Sequence, residues 1–376
     1  MDFGLSAEQE ERYARTREAA RALSPKACSG AFDETVRKEL AALGLLGAAV
    51  PKEYGGTGLG ALDTALVFEA ASEGGADTGF LFAAAAHLFA CVRPVLEFAV
   101  PATRNRLLPD LCSGALLAGN AMTEPDAGSD VSRLATTATR VDGGYLLDGV
   151  KSFVSNGPVA DLYLAYATTD PDGGYFASTA FAVDRRTPGL TAGGPMGKTG
   201  LTGCQAGEVR FSRCFVPDEK VLGAPGQGQV VFQASMRWER SCLFAIYLGQ
   251  QERILRRCVR HARDRRQFGK RLADLPPVAD RLAEMRLRLE SGRLLLYRAC
   301  AEIDAGRDPA LWGAMAKLSV SEAAVTTALD AARIFGGRAF MEEYGLGDEV
   351  RDALPATTFS GTSDIQRQLI AREMGL

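Results

Sequence analysis

The pattern that most constrains this chain is a double switch of period. Residues 1 to about 118 carry apolar side chains at helical spacing. Residues 120 to about 225 break into short β-like runs between turn clusters, and from about 228 the helical period returns. In the first stretch, Ser6 with Gln9 makes a capping-box pattern, and the helix it opens should stop before Pro25. Residues 33–46 also have helical spacing, and the glycine-rich residues 53–60 read as a turn, because no strand with phosphate-loop context surrounds them. In the middle stretch, residues 145–149, 161–166, 181–183 and 208–211 read as strands. Asp142-Gly143-Gly144, residues 170–174 and Thr187-Pro188-Gly189 punctuate them, which is the spacing of a small antiparallel β-domain. In the last stretch, Val278, Leu282, Met285 and Leu289 recur at i, i+4, i+7 and i+11. Three or four long helices with short loops fit there as an antiparallel bundle. The expectation is an α+β chain in three parts: an N-terminal helical domain (1–118), a middle antiparallel β-domain (119–225) and a C-terminal four-helix bundle (226–376).

Charge and composition remove several function classes. The net charge of −3 offers no excess of cations for phosphates, so nucleic acid is not an expected partner. The first twenty residues lack a basic and then an apolar region, so no signal peptide is expected. The most apolar run, 80–92, is broken by His87 and is too short to suggest a membrane span. Eight singly placed cysteines with no CxxC pair suit a reduced, cytoplasmic chain. With two histidines, His87 and His261, and no HExxH or GxSxG, no metal site is expected. His87, alone on an apolar helix, reads as a hydrogen-bonded core residue.

The segment 121–130 opens the β-region as a polar loop with short side chains, suited to a polar ring or a phosphate, or else an ordinary surface turn. Its Thr123-Glu124-Pro125-Asp126-Ala127-Gly128-Ser129-Asp130 resembles the TEPxAGSD signature of acyl-CoA dehydrogenases. Four more motifs follow in that family's order. They are Asp148-Gly149-x-Lys151 with Asn156-Gly157 and Asp161, then Arg265-Arg266-Gln267-Phe268-Gly269, Phe335-Gly336-Gly337, and Gly361-Thr362-Ser363-Asp364-Ile365-Gln366-Arg367. The resemblance covers essentially the whole chain and implies the acyl-CoA dehydrogenase fold.

It also implies a bound FAD. Met122, Thr123, Gly128 and Ser129 fall in the first motif, with Thr123 and Ser129 lining the flavin and acyl pocket. Phe153 takes the place of a flavin-stacking aromatic, and Ser155 that of a hydroxyl near the reactive flavin nitrogen. Arg265, Phe268 and Gly337 are implied to contact the FAD of a neighbouring subunit, and Thr362 and Asp364 fall in the last motif, with Thr362 at the pyrophosphate or adenosine side. A homodimer or homotetramer follows. Two glutamines of the family pattern are replaced, by Pro276 and by Arg333, and Arg333 is a candidate phosphate partner instead.

Desaturating a thioester needs a carboxylate to take the α-proton while hydride leaves the β-carbon, and its pKa should sit above about 4.3. Many members carry that glutamate directly before the Gly-Thr of the last motif, where this chain has Ser360. A branch that includes isovaleryl-CoA and long-chain enzymes places it early on the first long bundle helix, before an arginine. Here that is Trp238-Glu239-Arg240. Glu239 is therefore the expected base, on one helix face with Leu243 and Ile246. Arg240 would shape the pocket or balance charge, and position 360 would be vacant for catalysis. The bland alternative is a Glu–Arg pair on a solvated face.

Residues 83–91, 235–245 and 359–364 resemble the L-prolyl-carrier-protein dehydrogenases of pyrrole biosynthesis. That resemblance implies a prolyl group on the phosphopantetheine arm of a peptidyl carrier protein, oxidised to pyrrole-2-carboxyl by loss of four electrons in two steps. The basic run 256–266 would suit an acidic carrier, or serve FAD, or be a solvated face. The alternatives are a dehydrogenase of a small or branched acyl-CoA, which would not need a carrier, and a flavin monooxygenase on the same scaffold, which would not need Glu239. A binding module without flavin is a further alternative.

Overall fold

The computed structural model describes residues 4–21 and 34–376. Helix α1 (Ala7–Arg21) opens with the expected reciprocal cap: Gln9 N–H donates to Ser6 Oγ at 3.2 Å and Ser6 N–H to Gln9 Oε1 at 3.0 Å. Its predicted stop at Pro25, residue Asp33 and Cys28 all lie outside the described residues. Five helices follow: α2 (Glu34–Ala42), α3 (Ala61–Gly74), α4 (Thr78–His87), α5 (Arg93–Phe98) and α6 (Pro101–Ser113). Of the expected turn, residues 55–60 form an irregular loop before α3, while Glu53 and Tyr54 belong to a short 3-10 turn (Lys52–Tyr54).

Thr78–Phe98 runs as one helical stretch through a π turn at Leu88–Val92, and is long and apolar enough to cross a membrane. That exceeds the length read from the sequence, because His87 does not interrupt it. Of its apolar 18-residue window, 89% is buried inside the fold, so core packing accounts for its composition. His87 is itself buried; its Nδ1 accepts from Ala118 N–H and its Nε2 lies 3.0 Å from the Leu111 carbonyl oxygen. Burial pulls it down to about 4, so it stays neutral and acts as a core strut.

The middle of the chain is one eight-stranded sheet: β1 (Ala118–Ala121), β2 (Thr137–Val141), β3 (Gly144–Ser155), β4 (Leu162–Thr168), β5 (Ser178–Asp184), β6 (Leu190–Ala192), β7 (Ala206–Pro217) and β8 (Val221–Leu222). The four expected runs fall in β3, β4, β5 and β7, with Asp161 just ahead of β4. Asp142-Gly143 makes the two-residue β2–β3 hairpin loop, with Gly143 at φ 73°. The pairings are antiparallel except two: β1 and then β2 run parallel to β4 along one edge. The chain returns to β4 through the signature loop and a hairpin, a connection long enough for parallel pairing. Alternate residues of β4 divide between two cores. Leu162, Leu164 and Tyr166 face the helices, whereas Tyr163, Ala165 and Ala167 pack within the sheet's own fold.

The chain then forms α7 (Gly228–Trp238), a π turn (Glu239–Leu243), α8 (Ala245–Asp264), a two-residue hairpin β9–β10 (Arg266–Gln267, Lys270–Arg271), α9 (Pro276–Asp304), α10 (Ala310–Phe335), α11 (Leu346–Ala353) and α12 (Ser363–Glu373). The N-terminal helices pack directly on the C-terminal ones and share their core. Gly249 of α8 lies so close to α3 that an added Cβ would overlap the Glu69 carbonyl oxygen. Buried carboxylates of α3 complete this seam. Glu69 accepts from Arg293 Nε at 3.0 Å and Tyr297 OH at 2.9 Å, and Glu73 from Tyr13 OH at 2.6 Å and Arg17 at 2.9 Å. All seven cysteines among the described residues are buried and free.

Candidate active site

A cleft of about 480 Å3 opens where the sheet, the apolar α4–α5 stretch and the α7–α8 region converge. That volume suits a small ligand or part of a cofactor. The signature loop forms one wall. It is pinned by Glu124, 4% exposed, whose carboxylate accepts from Ala135 N–H at 2.6 Å, Thr136 N–H at 3.0 Å and Lys151 Nζ at 2.7 Å. Lys151, 0% exposed, also donates to the Met122 carbonyl at 3.1 Å, and Ser152 N–H to the Thr123 carbonyl at 2.8 Å. Burial pulls Lys151 down to about 8 while Glu124 favours its charge. An ion pair so deep is tolerated because nearly every polar atom in it has a partner.

Strand β3 shifts register against β7 between Lys151 and Val154. Phe153 sits in that irregularity at φ 56°, with its ring 66% exposed beside the cleft. A bulge re-aims a side chain in this way. Thr123, Ser129 and Ser155 add hydroxyls, and Gly128 leaves open space, since an added Cβ would meet nothing within 4 Å. Asn120 Oδ1 is buried without a partner. An exposed aromatic face, three hydroxyls, an open glycine and an unpartnered acceptor fit a planar polar ring such as a flavin.

The opposite wall is apolar and carries one carboxylate. Phe82, Ala86 and Ala90 line the cleft from the α4–α5 stretch, and Phe359 packs on Phe82 with ring centroids 4.6 Å apart. Glu239 begins the π turn after α7 and is 7% exposed. Its Oε2 accepts from Ser360 Oγ at 2.6 Å, and its buried Oε1 has no partner. Burial lifts its pKa to about 7, against the pull of the Ser360 hydrogen bond and the Arg240 charge. Leu243 lines the cleft beside it as expected. Ile246 is buried in the helical core and does not line the cleft, in keeping with a π turn that breaks the α-helical register between it and Glu239.

Met122, Thr123, Gly128, Ser129, Phe153, Ser155, Glu239 and Thr362 thus share one cleft. Thr362 also caps α12 by accepting from Ile365 N–H at 3.2 Å. Arg240 makes its hydrogen bond elsewhere: its Nε donates to the Ser360 carbonyl at 3.2 Å, while its charge still acts on Glu239. Arg265 lines a second cleft, of about 600 Å3, with Arg257, Arg260, His261, Asp264, Arg266, Phe335 and Arg338. Phe268 is 92% exposed on the β9–β10 hairpin, and Gly337 is exposed on the turn after α10. Arg333 is ion-paired with Asp330 at 3.0 Å, and exposed Asp364 pairs with Arg367 at 2.9 Å. Asn120, Phe82, Phe359 and Ser360 line the main cleft without having been singled out as contributors. Position 360, expected to be vacant for catalysis, carries a hydroxyl that donates to Glu239, a contact across 121 positions that no local spacing reveals.

Three family models match the chain in order. They are described as the N-terminal, middle and C-terminal domains of acyl-CoA dehydrogenase, over residues 6–115, 119–214 and 226–375. An L-prolyl-[peptidyl-carrier protein] dehydrogenase from Pseudomonas fluorescens is 51% identical over 334 residues, covering 89% of this chain and 88% of that protein. A protein of the same description from a Serratia species is 41% identical over 381 residues, covering 100% and 99%. A solved structure described as PigA with FAD and proline superposes with a TM-score of 0.98 at 40% identity, covering 100% of both chains. By domains, sequence and fold alike, this chain belongs to the acyl-CoA dehydrogenase family.

Proposed function

We propose that the protein is an FAD-dependent dehydrogenase of a thioester-bound acyl group, and that this group is L-prolyl on a peptidyl carrier protein, oxidised to pyrrole-2-carboxyl. The observation that carries the chemistry is Glu239: buried, held by Ser360 through one oxygen, and bare at the other within the cleft. The prolyl and carrier assignment draws on the two relatives at 51% and 41% identity and on the PigA structure with FAD and proline.

Phe153, Ser155 and the signature loop would hold the FAD, which would supply the acceptor for the hydride that leaves the β-carbon. The chain's own residues do the rest. The aromatic and alanine wall excludes water, so the carboxylate is poorly solvated and more basic. Glu239 takes the α-proton, for which it must be ionised. Its lift to about 7 keeps a usable ionised fraction near neutrality while raising its affinity for a proton. Two successive two-electron oxidations remove the four hydrogens that separate a prolyl from a pyrrolyl group, and each would need oxidised flavin, restored after the first by oxygen or another electron acceptor.

Arg265, Phe268 and Gly337 suit contacts to the FAD of a neighbouring copy in a homodimer or homotetramer. The nearly bare rings of Phe268 and Phe340, 92% and 86% exposed, favour coverage by another surface. Met122, Thr362, Arg333 and Asp364 complete the proposed FAD set, Arg333 from its place beside Asp330. The test is anaerobic bleaching of the enzyme-bound flavin by prolyl-loaded carrier protein. Bleaching by that substrate supports the reading, and bleaching only by free CoA thioesters rejects the carrier.

A further inference from the structure

We propose that Ser360 is a positioning residue that fixes the Glu239 carboxylate and leaves Oε1 as the oxygen that takes the α-proton. The Ser360 hydroxyl has one proton, and it is donated to Oε2 at 2.6 Å. Oε1 is buried and has no partner. A proton leaving the substrate α-carbon therefore finds Oε1 free, while Oε2 keeps its hydrogen bond.

The backbone beneath this hydroxyl is built to aim it. Ser360 has φ 54°, a left-handed conformation that side-chain-bearing residues seldom adopt. Two donors from different elements hold it there. Arg240 Nε and Gln366 Nε2 each donate to the Ser360 carbonyl at 3.2 Å, and Gln366 Nε2 also lies 3.0 Å from the Gly361 carbonyl oxygen. Gln366 is fully buried. Arg240 therefore acts on the base through this turn as well as by its charge.

The other titratable groups that feel Glu239 are Arg240 on its own turn, Cys91 on the π turn of the apolar stretch and Tyr166 on β4. Burial pushes Cys91 and Tyr166 upward, so both remain neutral at working pH. Ser360 and Arg240 are left as the groups that favour ionised Glu239.

The inference rests on Glu239 as the base, and its test does not need the substrate. In the FAD-loaded enzyme, the infrared carboxyl band of Glu239, assigned by its loss in Glu239→Gln, is titrated in wild type, Ser360→Ala and Ser360→Gly. Glycine adopts positive φ without strain, so Ser360→Gly removes the hydroxyl and keeps the turn. Expected is a midpoint raised by about one pH unit in both variants, the scale of a lost hydrogen bond to a charge. The rate of flavin reduction by prolyl-loaded carrier should then rise with pH about one unit later, with a lower plateau and unchanged KM. An unchanged midpoint in Ser360→Gly overturns the inference. A raised midpoint in an enzyme whose wild type ignores prolyl-loaded carrier upholds it while rejecting the substrate reading.

Discussion

Replacing Glu239 by glutamine should abolish proton removal and, separately, change how stability depends on pH. Folding lifts this carboxyl from 4.5 to about 7. That shift corresponds to about 3 kcal/mol of disfavoured ionisation. The sign follows from which state holds the proton. Below about 4.5 both folded and unfolded chains are protonated there, so the group costs nothing. Between about 4.5 and 7 the unfolded chain has lost its proton and the folded chain has kept it, so stability falls as pH rises. Above about 7 the full cost persists. Glutamine carries no such cost and occupies nearly the same volume. Relative to wild type, Glu239→Gln should therefore gain stability as pH rises from 4.5 to 8, by up to about 3 kcal/mol. Stopped-flow flavin reduction by prolyl-loaded carrier should meanwhile slow by at least about 100-fold, the lower end of general-base contributions. The assay pairs that rate with thermal unfolding midpoints of both proteins across the pH range. Wild-type rates in the mutant, or a stability difference that does not vary with pH, would refute the reasoning.

Three further outcomes are expected. Lys151→Met strands the Glu124 carboxylate at 4% exposure and should cost about 3–5 kcal/mol, seen as a lowered unfolding midpoint with loss of flavin. Phe153→Ala touches a ring that is 66% exposed, so the midpoint of the flavin-free protein should move little while flavin affinity drops in fluorescence titration. Ser360→Glu sets a second carboxylate beside Glu239, so activity should rise with pH later than in wild type and fall at neutrality; a large gain in rate at pH 7 would mean that Glu239 is not the base.

The parts of this account that were legible in the sequence are those written in local patterns. The Ser6–Gln9 cap, the Asp142-Gly143 hairpin and the helix through Met285 and Leu289 each depend on neighbours within one or two turns. Glu239 was legible as the candidate base because many family members carry that glutamate where this chain has Ser360, and one branch carries it where this chain has Glu239. Long-range geometry was not. The parallel edges of β4 depend on where β1 and β2 dock, and the short runs carry no sign of direction. The π turn at Glu239–Leu243 inserts an extra residue that composition does not mark, so the helix face shared by Glu239, Leu243 and Ile246 does not carry across it unchanged. Arg240 reads as a partner of its neighbour Glu239, yet its Nε holds the Ser360 carbonyl, 120 positions away.

The most direct test of the central claim is the intact mass of a prolyl-loaded carrier protein after incubation with the FAD-loaded enzyme in air. Loss of four hydrogens is expected, at a rate at least about 100-fold lower when Glu239→Gln replaces wild type. An unchanged carrier mass, with flavin bleached by simple acyl-CoA thioesters in the absence of oxygen, would contradict the prolyl-carrier reading and leave a dehydrogenase of CoA esters.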